Sequence, residues 1–322
     1  MKLFLTGGTG FFGKSILRKL LSSSGGFSCQ RPNCVVVLSR NPMLFLKENP
    51  EFAKCDWLSF YKGDVENFST LPTHESFTHV IHAATDTTDR LDEGPLKRYD
   101  QIVIGTRNML DFALKVGAKR FLFTSSGAVY GRQPNNYSNI LESYHGMPDP
   151  LMSSNSYGIG KRQAEHLCAL YYSQYNLKTV IARCFAFVGP DLPIDAHFAI
   201  GNFVRDALYR DSIMVVGDGL PLRSYLYQDD LVTWLFAILE RGQAGEAYNV
   251  GSDEAISIHD LAKLVRDVIA PSKPIVIGRS SEKSECRNLY VPDITKAKEK
   301  LGVTIETPLV DALKKVAQIL KA

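Results

Sequence analysis

No apolar stretch in this sequence approaches the roughly 18 residues that cross a bilayer, so no membrane span is expected. Basic runs are missing as well. Lys and Arg number 37 against 34 Asp and Glu, a net charge of +3, which leaves no electrostatic footprint for nucleic acid. The six cysteines are scattered and form no CxxC pair. Cys34 and Cys184 fall in strand-like apolar runs and Cys168 in a helical one. Buried thiols in a reducing cytoplasm are therefore expected, with no disulfide and no metal site. There is no internal repeat, low-complexity tract or obvious linker. A strand pattern starts at Lys2, so no signal peptide is expected. The 322 residues suffice for one large domain or two modest ones.

What is present is organised around the first turn, Thr6-Gly-Gly-Thr-Gly-Phe-Phe-Gly-Lys-Ser15. An apolar strand, Lys2 to Leu5, runs into it and a helical pattern, Phe11 to Leu21, follows. Glycines let the backbone turn tightly and approach an anion, and the helix N-terminus adds N–H groups and partial positive charge. Two motifs overlap here. Gly8-xxxx-Gly13-Lys14-Ser15 matches a P-loop, which would mean nucleoside triphosphate and magnesium. Gly7-xx-Gly10-xx-Gly13 has the spacing of a dinucleotide-binding turn. In that case Phe11 and Phe12 open an apolar helix face and Lys14 points at solvent.

Strand and helix patterns then alternate. Cys34-Val-Val-Val-Leu38, His79-Val-Ile-His-Ala83, Arg120-Phe-Leu-Phe-Thr124 and Thr179-Val-Ile-Ala-Arg183 read as strands buried on both faces. Leu96–Val116 and Ser154–Tyr175 read as helices. Such alternation predicts an α/β fold with an open, doubly wound parallel sheet whose ligands sit beyond the carboxyl ends of the strands. From about Gly189 the rhythm changes: helices are expected over His197–Tyr209, Asp229–Arg241, Ile256–Ile269 and Pro308–Leu320, with short strands at Ile213–Val216 and Arg223–Tyr227.

Tyr157-Gly-Ile-Gly-Lys161 is a second fixed point. Positions i and i+4 share a helix face, and a lysine ammonium there would favour tyrosinate, so that the phenol exchanges protons with a hydroxyl or carbonyl. Of the 14 tyrosines only Tyr157 has a lysine four residues on. The alternative is an ordinary amphipathic pair. Thr124-Ser-Ser-Gly-Ala-Val-Tyr-Gly131 ends a strand, where a serine could bond the same substrate oxygen or merely cap a turn.

Together these residues resemble the extended short-chain dehydrogenase/reductase family, whose best-known members act on nucleotide sugars. Further matching pieces are Gly63-Asp64-Val65, His82-Ala-Ala84, Gly105-Thr106 with Asn108, Arg183 with Val188-Gly-Pro190, Arg223-Ser-Tyr-Leu-Tyr-Gln-Asp-Asp230 and Tyr248-Asn-Val-Gly251. The ordered set covers nearly the whole chain and makes Lys14-Ser15 a local coincidence. The resemblance implies a Rossmann-type domain over 1–188 and mainly a smaller C-terminal α/β substrate-binding cap over 189–322, from which some segments could return to the sheet. It implies Ser126, Tyr157 and Lys161 as catalytic residues. It places Gly7, Gly10, Phe11, Phe12, Gly13, Asp64, Val65, Ala83 and Ala84 around a nicotinamide dinucleotide. Thr85, Asn202, Arg223 and Arg287 would face a nucleotide-diphosphate sugar, arginine suiting a diphosphate through its fork of donors. A homodimer through the two long helices is also expected.

Relatives that prefer NAD place an acid after the second strand. Here that strand ends Leu38-Ser-Arg-Asn-Pro42 and the next acid is Glu48. NADP(H) is therefore expected, with Arg40 on the 2′-phosphate and Ser39 helping; NAD(H) is the alternative. Dehydratases and decarboxylases of the family carry Asp or Glu beside the catalytic Ser/Thr, where this chain has Gly127 and Ala128. That disfavours elimination and leaves hydride transfer: an NADPH-dependent 4-keto-(6-deoxy)sugar nucleotide reductase is favoured over a 4-epimerase that retains its cofactor. Ala186 and Ile102 depart from the family's usual asparagines. A non-catalytic cofactor-binding protein would often lose Tyr or Lys of the pair, and both are present.

Overall fold

Strand β1 (Lys2–Thr6) carries apolar side chains on both faces, Leu3 and Leu5 in one core and Phe4 in the other. A strand of this kind is stable only with helices on either side of its sheet. The computed structural model describes residues 1–22, 32–85, 94–278 and 288–321. After β1 come α1 (Phe11–Ser22), β2 (Cys34–Ser39), α2 (Pro42–Glu48), β3 (Leu58–Lys62), β4 (His79–His82), α3 (Gly94–Lys115), β5 (Arg120–Ser126), α4 (Ser156–Tyr175) and β6 (Lys178–Cys184). The second half holds β7 (Phe187–Val188), α5 (Ala199–Tyr209), β8 (Ile213–Val215), β9 (Leu222–Arg223), β10 (Leu226–Tyr227), α6 (Gln228–Arg241) and β11 (Ala247–Val250). It closes with β12 (Ile256–Ser257), α7 (Ile258–Ile269), β13 (Ile275–Ile277), β14 (Leu289–Tyr290), α8 (Thr295–Leu301) and α9 (Leu309–Lys321). None of the described helices is long and apolar enough to cross a membrane.

Seven strands form one parallel sheet in the order β11-β6-β5-β4-β1-β2-β3. The order reverses between β1 and β4, which opens a crevice at their carboxyl ends. Helices α1 and α6 cover one face with Ile16, Leu17, Leu20, Leu231, Val232 and the wholly buried run Trp234–Leu239. Helices α3 and α4 cover the other with Met109, Leu110, Phe112, Ala164 and Cys168. Each Leu, Ile, Met or Phe among them contributes on the order of 1.5–3 kcal/mol when fully buried.

Three boundaries differ from expectation in ways that matter for the site. Strand β5 continues past Thr124 to Ser126, because β6 keeps pairing with it as far as Ser126 opposite Cys184. The strand expected over 223–227 divides: β9 pairs with β12 and β14, whereas β10 pairs with β7. The first two residues of the helix expected from Ile256 are β12, and Ser257 then caps α7 by accepting the Asp260 N–H at 3.0 Å. Residues 228–250 return to the sheet, α6 on its face and β11 at its edge. Strands β8, β10, β12 and β13 and helices α5, α7 and α9 build a second core beside it.

Candidate active site

The glycine turn is shaped by close approach. Gly7 has φ +71°, and a Cβ there would lie 2.3 Å from the Ala83 carbonyl oxygen. A Cβ on Gly13 would lie 2.2 Å from Gly8 Cα, so α1 rests directly on the turn. Gly10 is different: its Cβ would meet only Gly7 O at 3.5 Å. Protein packing does not demand glycine at 10, so its bare backbone leaves a cradle that a side chain would fill. Thr6 Oγ1 accepts the N–H groups of Ala83 (3.2 Å) and Ala84 (3.3 Å), and lies 2.8 Å from His82 Nδ1. With both lone pairs occupied, the threonine proton goes to the imidazole. Burial pushes His82 down to about 3, so it stays neutral.

Phe11 and Phe12 begin α1 and pack on Phe187, with ring centroids 6.3 and 5.2 Å away. Lys14 pairs with Asp191 at 3.8 Å, and buried Ser15 donates to Phe11 O at 2.8 Å. Neither side chain is placed for a triphosphate or magnesium, which removes the P-loop alternative.

At the end of β2, Ser39 is buried and its hydroxyl accepts the Asn41 N–H at 3.2 Å. Arg40 is exposed. Asn41 caps α2, so the chain turns away at once and Glu48 lies at the far end of that helix. After β3, Asp64 accepts the Glu66 N–H at 3.0 Å. Val65 is held by Asn108, whose Nδ2 donates to its carbonyl at 2.8 Å, and a Cβ on Gly105 would lie 3.0 Å from Val65 Cγ2. The Gly105-Thr106…Asn108 motif thus props the loop that follows β3.

The structure distinguishes the two serines ending β5. Ser125 donates to Glu165 at 2.6 Å, and Arg183 holds the same carboxylate through Nε (3.0 Å) and Nη2 (2.7 Å). Ser126 lies outside that network and accepts the Ala128 N–H at 3.2 Å. Tyr157 stands in the first turn of α4. One turn on, Lys161 is 2% exposed and donates to Thr124 O at 2.7 Å and Thr85 Oγ1 at 3.0 Å. Thr85 is therefore a lysine partner here. Burial brings Lys161 down to about 8. The same cause raises the Tyr157 phenol well above its ordinary value; Tyr290 adds to the rise and Ser126 opposes it. The Lys161 ammonium gives its bonds to Thr124 and Thr85 and lies 5.8 Å from the Tyr157 ring centroid.

The expected substrate residues divide. Arg223 is anchored, Nη1 donating to Leu222 O (2.8 Å) and Asn288 O (2.9 Å), and its guanidinium lies 5.9 Å from the Tyr290 ring centroid. Asn202 turns to its own helix, accepting from Arg205 at 3.1 Å. Arg287 lies outside the described residues. Ile102 packs α3 on α4, since a Cβ on Gly160 would lie 3.3 Å from its Cδ1.

Tyr290 escaped the sequence reading. Its hydroxyl is 3.3 Å from Ser126 Oγ, although 164 residues separate them. No local pattern marks it; only the pairing of β14 with β9, Tyr290 opposite Arg223, brings it in.

Residues 3–251 match the NAD dependent epimerase/dehydratase family. UDP-glucuronic acid decarboxylase 2 of Arabidopsis thaliana is 32% identical over 308 residues, covering 94% of this chain and 64% of that protein. The chain therefore spans less than two thirds of that relative. The solved UDP-glucose 4-epimerase of Thermotoga maritima, with UDP-glucose, superposes with a TM-score of 0.83 at 26% identity, covering 100% of this chain and 99% of that one. The dTDP-glucose 4,6-dehydratase DesIV of Streptomyces venezuelae, with NAD bound, shares the fold at a TM-score of 0.84 and 24% identity, over 100% and 97% of the two chains. With the glycine turn, the Ser126, Tyr157 and Lys161 cluster and a match over most of its length, the chain belongs to the NAD dependent epimerase/dehydratase family.

Proposed function

We propose that the protein is an NADPH-dependent reductase of a 4-keto-(6-deoxy)sugar nucleotide. The single observation that carries hydride transfer without elimination is the corner after Ser126. A Cβ on Gly127 would lie 2.7 Å from the Phe185 ring and 2.9 Å from the Tyr290 hydroxyl. A side chain there would have to displace the Phe185 ring or the Tyr290 hydroxyl, glycine itself carries no acid, and Ala128 offers only a methyl. The relatives named as decarboxylases and dehydratases therefore inform the fold and cofactor class here, and the reaction follows from this chain's own residues.

The residues fit a nicotinamide dinucleotide. The Gly10 cradle and the first N–H groups of α1 would take its diphosphate, Asp64 and Val65 its adenine side, and Ala83 and Ala84 its path along β4. Exposed Arg40, with Ser39 beside it, would take a 2′-phosphate. When bound, the reduced cofactor supplies a hydride to the carbonyl carbon. Tyr157, kept protonated by burial, gives its proton to the carbonyl oxygen, and Ser126 donates a hydrogen bond to that same oxygen. Lys161 holds the end of β5 and Thr85 in register with α4. Arg223 takes the nucleotide diphosphate, with Arg287 and Asn202 as further contacts. The chain forms a homodimer through α3 and α4.

Incubating purified protein with NADPH and a panel of 4-keto-6-deoxy nucleotide sugars tests this reading at the nicotinamide absorbance. Stoichiometric cofactor loss is expected. No loss, with cofactor released on denaturation and interconversion of unoxidised nucleotide sugars, would establish a 4-epimerase instead.

A further inference from the structure

Ser126 Oγ has two lone pairs and one proton. The Ala128 N–H fills one lone pair at 3.2 Å. The Tyr290 hydroxyl lies 3.3 Å away, within reach of the other. A second acceptor for the phenol, the Cys184 carbonyl, lies at 3.4 Å. The ring is fixed by Phe185, with centroids 4.7 Å apart, and by the β14–β9 pairing that sets Tyr290 beside Arg223. Space for the hydroxyl exists because residue 127 is glycine.

We propose that Tyr290 is a positioning residue of the reacting centre, whose phenol orients the Ser126 hydroxyl to suit either the ketone or the alcohol form of the sugar. This rests on the hydride-transfer reading. A ketone only accepts. Against it, Ser126 gives its proton to the carbonyl oxygen, and the phenol donates its own proton to the serine's second lone pair. The alcohol has a proton to give. Against it, Ser126 accepts from the sugar and donates to the phenol, which turns to the Cys184 carbonyl. No covalent bond changes in either rotation, and the two acceptors at nearly equal distance make both arrangements accessible. Burial pushes the Tyr290 phenol up to about 12, so it keeps its proton throughout.

A double-mutant cycle tests the coupling. Tyr290→Phe retains the ring, so packing on Phe185 is preserved, and thermal melting checks the fold. In the wild-type background it is expected to lower kcat about tenfold, the worth of one ordinary hydrogen bond, with KM for NADPH unchanged. In the Ser126→Ala background it is expected to cost nothing further. Unchanged kcat, or the same factor in both backgrounds, would overturn the proposal. The cycle is read on whichever hydride transfer the wild-type enzyme performs, so a protein that epimerises without consuming NADPH defeats the reductase while leaving Tyr290 to be judged. Calorimetric binding of the keto sugar to the NADP+ form reads the same cycle without turnover: weaker binding in Tyr290→Phe only when Ser126 is present supports the coupling, and equal binding refutes it.

Discussion

Tyr157 and Arg40 carry the two residue-scale claims that are easiest to separate. Tyr157→Phe removes the proton donor and leaves the ring, so turnover is expected to fall by about 10²- to 10⁴-fold while NADPH binding, followed by fluorescence, stays intact. Unchanged turnover would remove the phenol from the reaction. Arg40 is exposed at the end of β2, so replacing it should disturb nothing but the cofactor. Arg40→Asp places a carboxylate where the 2′-phosphate would lie. Steady-state kinetics should show the NADPH KM rising and the NADH KM falling; an unchanged ratio of the two in the variant would mean that Arg40 does not bind the 2′-phosphate.

At the scale of the element, α6 shows how a motif serves both fold and site. Its preceding strands present Arg223, whereas its own first turn holds Asp230, 4% exposed, whose carboxylate accepts the Thr307 N–H at 2.9 Å. A helix N-terminus favours a negative charge, but burial, with Asp229 and Glu306 adding to it, raises Asp230 to about 6. The sign follows from linkage: a folded pKa above the unfolded value contributes stability that is full below about pH 4 and lost as the pH rises through about 6. Asparagine can still accept from Thr307 and does not ionise. Asp230→Asn should therefore melt higher than wild type at pH 7 to 8, with the difference closing as the pH falls to 4. A constant difference across that range would show that ionisation is not its source.

For the whole molecule, the two long helices α3 and α4 pack on each other and on the sheet while keeping Leu96, Ile104, Leu170 and Tyr172 at least one third exposed. A homodimer through these helices would cover such side chains. Light scattering is expected to give a dimer mass for wild type and a monomer mass for Ile104→Glu. A wild-type monomer would refute this, and a variant that remains dimeric would move the interface elsewhere. The second half of the chain reaches the end of β5 through β14, where Tyr290 lies 3.3 Å from Ser126, so this corner is built from segments distant in sequence.

The amino-acid sequence by itself determined whatever rests on short-range spacing. Gly7, Gly10 and Gly13 specify a turn, the apolar runs at Val35–Leu38 and Phe121–Phe123 specify strands buried on both faces, and Tyr157 and Lys161 share a helix face at any tertiary arrangement. Gly127 and Ala128 exclude acids by identity alone. Tertiary structure decided what depends on pairing between distant segments. It separated Ser126 from Ser125 through the Glu165–Arg183 ion pair, turned Lys161 towards Thr124 and Thr85, and retired Lys14 and Ser15 through Asp191 and the backbone of Phe11. It also carried β11 back to the sheet edge and set Tyr290 against Ser126. A hydroxyl or an ammonium has several possible partners, and periodicity says which face it occupies but not what stands opposite. That partner is chosen by strand register and by burial, both properties of the folded chain.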